Sequence, residues 1–450
     1  MEELKDIIDE LVNLLDCGKI YSAKECLSNL NEADIAAVLE EIPPKYLVKA
    51  FRILPKGIAA DTFSFLDSDT QETLIKAFSD KELRDVINDL FMDDTVDLLE
   101  EMPASVIKRI LKHTDPQTRQ IINEIMNYPE DSAGSIMTTE YISLKKNMTV
   151  EQSFERIRAI AIDKETIYTC YVTNEQSVLQ GIVTVKDLLL AQYTDTIGDI
   201  METNIISVNT LEDKENVVHM FDKYDFLAMP VVDKENRLVG IVTFDDAMEV
   251  LQDENTEDIE KMAAIMPTDK PYMKTSVFET FKKRIPWLLL LMISATFTGT
   301  IIKHYEDALG TYVVLTAFIP MLMDTAGNAG SQASVTIIRG LSLNEIEFKD
   351  IFKIQGKEFL VALCCGTTLA LANFVKLITL DGLAMNIAFV VCGTLLLVVI
   401  VAKFVGCSLP IIAKKIGFDP AVMASPFITT IVDAISLLVY FQIASHVLGI

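Results

Sequence analysis

Residues 319–338 read I-P-M-L-M-D-T-A-G-N-A-G-S-Q-A-S-V-T-I-I. The run is apolar and long enough for a membrane span, which needs about 20 helical residues. Its middle nevertheless holds Asp324 and then Gly327-Asn328-Ala329-Gly330-Ser331-Gln332. Small and amide side chains let helices approach closely and supply hydrogen bonds between them. A carboxylate inside a bilayer costs about 2.5–3.5 kcal/mol on insertion scales, so it normally faces a wet cavity or a partner. Asp324 can do either. Gly327 and Gly330 suit close packing as well as function.

Four more apolar stretches accompany this one. The five run over Ile285–Ile302, Tyr312–Ile338, Phe359–Leu380, Leu383–Ala413 and Ala421–Leu448. Trp287 is placed to anchor the first at an interface. Five such runs in succession argue against a soluble bundle. The fifth carries Pro426, Thr429, Thr430 and Asp433, and the fourth carries Gly406 and Pro410. Asp433 therefore reads as a functional carboxylate, with a structural hydrogen-bond acceptor as the alternative. Lys403, inside the fourth stretch, is expected to snorkel toward the cytosolic end. Basic loops set orientation. Lys270, Lys274, Lys282, Lys283 and Arg284 precede the first span, Arg339, Lys349, Lys353 and Lys357 follow the second, and Lys414 and Lys415 follow the fourth. The alternate loops offer only Lys303 and Lys376. These counts place residues 1–270 in the cytosol and the C-terminus outside, as in a multi-pass protein of the cell (inner) membrane.

Charge is segregated in the same way. The chain has 450 residues, half of them hydrophobic, and a net charge of -26. Residues 271–450 carry 13 bases and 11 acids, whereas residues 1–270 carry 26 bases and 54 acids. Nucleic acid is repelled by such a surface, and small cations are attracted. Seven cysteines without a C-x-x-C pair point to reduced, buried thiols rather than a disulfide or zinc framework. Met1 to Glu10 shows no cleavable signal pattern.

A repeat organises residues 131–252. Ser135-Ile136-Met137-Thr138 is echoed by Asp199-Ile200-Met201-Glu202, and Ile142-Ser143-Leu144 by Ile206-Ser207-Val208. Gly181-Ile182-Val183-Thr184 is echoed by Gly240-Ile241-Val242-Thr243. Each copy reads as a helix (Val150–Ala161; Lys214–Tyr224) followed by two short strands, in the second copy Ala228–Val232 and Leu238–Val242. The segment resembles a tandem pair of CBS modules, about 131–194 and 195–252. In that family the Thr and Asp of G-I-V-T-x-x-D often contact the ribose of an adenine nucleotide, which implies Thr184 and Asp187 here, and ATP as a regulatory ligand. A capped helix explains the same two residues.

Residues 1–130 read as helix with short breaks. Leu39-Glu40-Glu41-Ile42-Pro43 recurs as Leu99-Glu100-Glu101-Met102-Pro103, as in stacked helical hairpins. No Walker loop, His/Cys ligand set or nucleophile–base pair is present, so an enzyme is not expected. Acid clusters carry the information instead. Asp93, Asp94 and Asp97 share one helical stretch. Asp245, Asp246, Glu249, Asp253, Glu254, Glu257, Asp258 and Glu260 crowd the end of the second repeat and the helix expected over Ala247–Met266. Most charge runs are solvated faces, but this one lies on the connection, residues 253–270, between the acidic half and the spans.

The order of parts resembles the MgtE family of magnesium transporters over essentially all residues: an all-α superhelical N-terminal domain, an α/β CBS pair, an acidic connecting (plug) helix and a five-helix transmembrane domain. The resemblance implies a homodimer with a pore on its two-fold axis. It implies that Asp433 is the pore carboxylate holding hydrated Mg²⁺, that Asn328 is the amide of the second-span motif, and that Gly327, Gln332 and Thr429 stand beside them. It also implies Mg²⁺ sites at Asp93, Asp97, the backbone of Gly134, Glu215, Asp225, Asp246, Glu249, Glu254, Glu257, Asp258 and Asp419. Glu249 stands where the family pattern has Asp, and Thr429 where it often has a smaller residue. The expected function is Mg²⁺ import down its electrochemical gradient, with closure when cytosolic Mg²⁺ is plentiful. Two alternatives are a transporter of Co²⁺ or Mn²⁺ and a membrane-anchored adenine-nucleotide sensor, which would not need Asp433 inside a span.

Overall fold

The computed structural model describes residues 2–268, 272–306, 310, 312–423 and 425–449; Lys270 of the basic cluster lies outside them. The chain divides into two compact units, Met1–Leu251 and Gln252–Ile450.

The first unit opens with ten helices among its described residues, from Glu2–Asp16 to Pro116–Ile125. Turn chemistry sets their length. Asp67 and Asp115 cap the helices that follow them, and Ser79 with Glu82 forms a capping box. The prolines at 43, 55 and 103 stand at N-caps, where a missing N–H costs nothing. Alternate helices stack: Glu32–Glu41 on Lys56–Ser64, that helix on Asp80–Asp89, and that one on Ala104–His113. The result is a superhelix with Phe51, Phe63 and Phe78 packed ring against ring in its core.

Two three-stranded sheets follow. One orders β1 (Ile142–Leu144), β2 (Thr169–Thr173) and β3 (Leu179–Thr184); the other orders β4 (Val208–Asn209), β5 (Ala228–Val232) and β6 (Leu238–Thr243). In both, the first pair is parallel and the second antiparallel. The echoed segments exchange partners. Thr138, leading into the first module, pairs with Ile241 on β6 (N–O 2.8 Å), and Glu202, leading into the second, pairs with Ile182 on β3 (2.9 Å). This crossing explains the glycine of each G-I-V-T. A Cβ at Gly181 would stand 3.1 Å from Glu202 O, and one at Gly240 would stand 2.7 Å from Thr138 O. Only glycine admits backbone this close.

The helix Phe244–Met262 begins at the end of β6 and runs past the division between the units. Among the described residues of the second unit, five helical spans are long and apolar enough to cross a membrane: Val277–His304, Val313–Ser342, Phe348–Thr379, Met385–Lys415 and Pro420–Leu448. The second has the lowest mean hydropathy, 1.2, because of Asp324 and the amide run. The fourth is the most enclosed. Two expectations need correction. Cys17, Cys364 and Cys365, expected buried, are exposed, the last two where a spanning helix meets lipid. Lys403 does not snorkel: it is 5% exposed, and its Nζ lies 3.4 Å from Glu358 Oε2 on the third span. A fixed counter-charge within reach removes the need to seek the interface.

Candidate functional site

In the membrane unit the second and fifth spans bring Gly327 against Thr429 and Asp433, while Asn328 and Gln332 lie exposed on the second span. A Cβ at Gly327 would lie 2.9 Å from Thr429 Cγ2 and 3.9 Å from Asp433 Oδ1, so the absence of a side chain there leaves room at the carboxylate. Thr429 and Thr430 hydroxyls both donate to Pro426 O, at 3.0 and 2.9 Å, which fixes their rotamers near the start of the helix. Asp324, Asn328 and Gln332 are spaced four apart along the second span. They form one polar stripe along a helix otherwise apolar enough for lipid. Such a stripe needs water or a partner against it.

In the first unit the fold collects acids from three distant segments. Asp93, 8% exposed, sits in the first turn of Met92–Glu101 and accepts from Asp94 N at 2.9 Å. Burial, then Asp246 and Asp94, holds its carboxyl well above the usual range. Asp94 is pushed up to about 7 by burial and then by Asp246 and Glu249. Asp97 is raised to about 8, first by the protein around it and then by Glu249 and Asp246. Asp246 is raised to about 6 by burial, against the hydrogen bond from its cap partner Thr243. Glu165 joins them unexpectedly. Its Oε2 is buried without a partner, and burial with Asp246, Asp245 and Asp94 pushes it up to about 8. Nothing in its local sequence pointed there, since only the tertiary fold brings it beside Asp246. Among the described residues no three His, Cys, Asp or Glu side chains converge as they would around a bare metal ion. The donor set suits a hard cation that keeps its water.

The other expected metal residues lie elsewhere. Segment 131–134 is laced to 210–214 by Ala133 N to Glu212 O (2.7 Å), Gly134 N to Thr210 O (2.9 Å) and the Lys214–Asp131 pair (3.0 Å). Gly134 is thereby held beside the segment leading into the helix of Glu215. Asp225 ends that helix in the left-handed conformation, φ 54°. It lines a cleft of about 820 Å³ in the CBS pair, with Tyr168, Tyr171, Thr184, Tyr224 and Phe226. Asp187 does not line this cleft. Its Oδ2 accepts from Thr184 N (3.0 Å) and Oγ1 (2.5 Å) in a capping box. In the second unit, Lys261 Nζ bridges Glu257 Oε1 and Asp419 Oδ2.

Residues 319–443 match the family model described as MgtE, divalent cation transporter; residues 30–131 match the MgtE intracellular N domain; and 133–193 and 197–253 match the CBS domain. The chain is 34% identical over 440 residues to the magnesium transporter MgtE of Bacillus subtilis, covering 98% of this chain and 97% of the relative. This chain belongs to the MgtE family. It is likewise 34% identical over 438 residues to the magnesium transporter MgtE of Thermus thermophilus, covering 96% and 97%. Among solved structures, the cytosolic domain of the Mg²⁺ channel MgtE in complex with ATP matches at 34% identity and a TM-score of 0.52, over 54% of this chain and 99% of that one. The soluble part of a magnesium transporter matches at 28% identity and 0.53, over 56% and 99%. The acid cluster, the CBS cleft and the polar stripe are thus features of a multi-pass MgtE-family protein.

Proposed function

We propose that this chain imports Mg²⁺ through a pore on the two-fold axis of a homodimer, and that the acidic N-terminal portion closes it when cytosolic Mg²⁺ is high. The observation that carries this reading is Asp433 set against Gly327, on the span that carries the stripe Asp324–Asn328–Gln332. Two such faces brought together enclose carboxylates and amides in a water-holding passage. Mg²⁺ sheds water reluctantly and is usually held by one or two carboxylates through retained waters. A divalent ion moving inward down 100 mV gains about 4.6 kcal/mol, so no ATP-driven chemistry is needed. The basic loops orient the acidic portion to the cytosol and the C-terminus outward.

Sensing rests on the acid faces, with Asp93, Asp97, Asp246 and Glu249 on one and Glu254, Glu257, Asp258 and Asp419 on another. The backbone of Gly134, Glu215 and Asp225 are proposed as further Mg²⁺ contacts. Without cation the carboxylates repel; with Mg²⁺ they draw together and carry the Phe244–Met262 helix with them. ATP in the CBS cleft is proposed as a regulatory ligand, supported by its aromatic lining and by the ATP complex of the similar cytosolic domain. Purified protein in liposomes, given an inward voltage and Mg²⁺ on the outside, should take up Mg²⁺. Substituting Co²⁺ or Mn²⁺ tests the second reading, for which the carboxylates alone offer no barrier. Uptake of none of them would overturn the transport reading.

A further inference from the structure

The Glu358–Lys403 pair lies inside the membrane unit and has no part in the proposed path. The two side chains are 6% and 14% exposed, Lys403 first, at an N–O separation of 3.4 Å. At 1.5 Å per helical residue, Glu358 is ~15 Å from the start of its span and Lys403 ~18 Å from the end of its own. An ion pair at that depth is expensive to desolvate, and apolar residues would pack the same space at no loss of stability. The two spans are tied a second time by Gln355 Nε2 donating to Ser408 Oγ at 3.0 Å.

The position of Lys403 matters more than its bond. Its neighbours on the fourth span press on the second-span motif: a Cβ at Gly406 would stand 2.2 Å from Gly330 O, and a Cβ at Gly330 would stand 3.2 Å from Ala402 O. Gly330 also faces Ile428 and Val432, and Gly327, one turn earlier, faces Thr429 and Asp433. Lys403 therefore stands one helix behind the polar stripe, at a packing distance of about 8–10 Å between helix axes. A bare ammonium there would repel a divalent ion passing the stripe, because the packed helices between them screen less than water does. The tie between the third and fourth spans is polar, so it has to be neutral.

We propose that Glu358 is a specificity-determining counter-charge: by neutralising Lys403 it keeps the cation path open to divalent ions, although it touches none of them. The inference rests on the reading of the Asp433 face as that path. It gives the two partners of one bond opposite effects on flux, which a purely structural tie would not.

The test is Mg²⁺ uptake by full-length protein in liposomes, scored per folded protein by size-exclusion chromatography. Glu358→Gln keeps the shape and removes the counter-charge, so uptake should fall about tenfold. Lys403→Met should take up Mg²⁺ as fast as wild type or faster. The double variant Glu358→Gln/Lys403→Met, although more altered, should recover to within about twofold of wild type. If both single variants are slow and the double variant stays slow, the pair only holds two helices together and the proposal is overturned. Should Glu358→Gln fail to assemble, Lys403→Met decides alone, because slowed uptake contradicts the counter-charge. Failure of the underlying reading looks different: wild-type vesicles would then take up no divalent cation, which overturns both.

Discussion

Lys261 Nζ lies 2.7 Å from Asp419 Oδ2 and 2.7 Å from Glu257 Oε1. Burial alone would lower its pKa, but the hydrogen bonds to Asp419 and Glu257 outweigh it and hold the ammonium above the ordinary lysine range. A tethered cation thus joins the Phe244–Met262 helix to the turn before the fifth span, between two carboxylates proposed for Mg²⁺. Met262 packs with Ile338 and Ala421 beside it.

Lys261→Gln should loosen that helix when no divalent ion is present. Hydrogen exchange over 252–262 in chelator should quicken severalfold relative to wild type, and millimolar Mg²⁺ should restore protection, because the two freed carboxylates can share an ion. Unchanged exchange in chelator would mean that the apolar contact of Met262 holds the helix by itself.

Asp433→Ala should reduce Mg²⁺ uptake to the vesicle background while insertion and assembly persist, since the carboxylate faces Gly327 rather than filling a core. Asn328→Ala should cost about fivefold, the loss of roughly 1 kcal/mol from one neutral hydrogen-bonding group. Full uptake by Asp433→Ala would take this residue off the path.

The acid cluster sets a pH dependence. Asp246, Asp94 and Glu165 titrate near 6, 7 and 8 in the fold, against about 4 in an unfolded chain. A carboxyl raised by folding contributes stability that is complete below pH 4 and is lost as pH rises through its folded value. Residues 1–270 in chelator should therefore melt at progressively lower temperature from pH 4 to 8, and Mg²⁺ should flatten the slope. Glu82, held at about 2 by Arg52 and its cap, has the opposite sign and acts only below pH 4. A melting temperature that is flat in chelator would show that the cluster is already relaxed by solvent.

Thr184 and Asp187 should separate in their effects. Asp187→Ala removes a capping box and should cost about 1 kcal/mol of stability, with ATP binding to residues 1–270 retained. Thr184→Ala should lose the cap and also weaken ATP, because Thr184 lines the cleft. Calorimetry with ATP, alongside melting curves, distinguishes the two. Equal loss of ATP in both variants would place Asp187 at the ligand.

The spans were readable because apolar runs of that length have few other uses, and the CBS pair because its echoes mark one module written twice. The exchange of Thr138 and Glu202 between modules was not readable, since strand register depends on which face each segment buries. Asp93 and Asp246 each stood out as members of local acid runs, but their meeting is a property of the fold, and Glu165 had no acidic run to mark it. Lys403 was misread for a related reason: its partner Glu358 is on another helix, and a lone lysine in an apolar run carries no sign of a counter-charge.

The crossed entry segments bear on how this chain is made. Thr138 waits for Ile241, about 100 residues later, and β3 waits for Glu202. During synthesis at about 5–20 residues per second, Thr138 waits about 5–20 seconds for its partner, and the β3 edge stays unpaired for about 1–4 seconds. An open edge is a template for another chain. The order of translation therefore leaves the nascent first module exposed to wrong partners until the second module emerges. A chain truncated near residue 195 should aggregate although every residue of the first module is present.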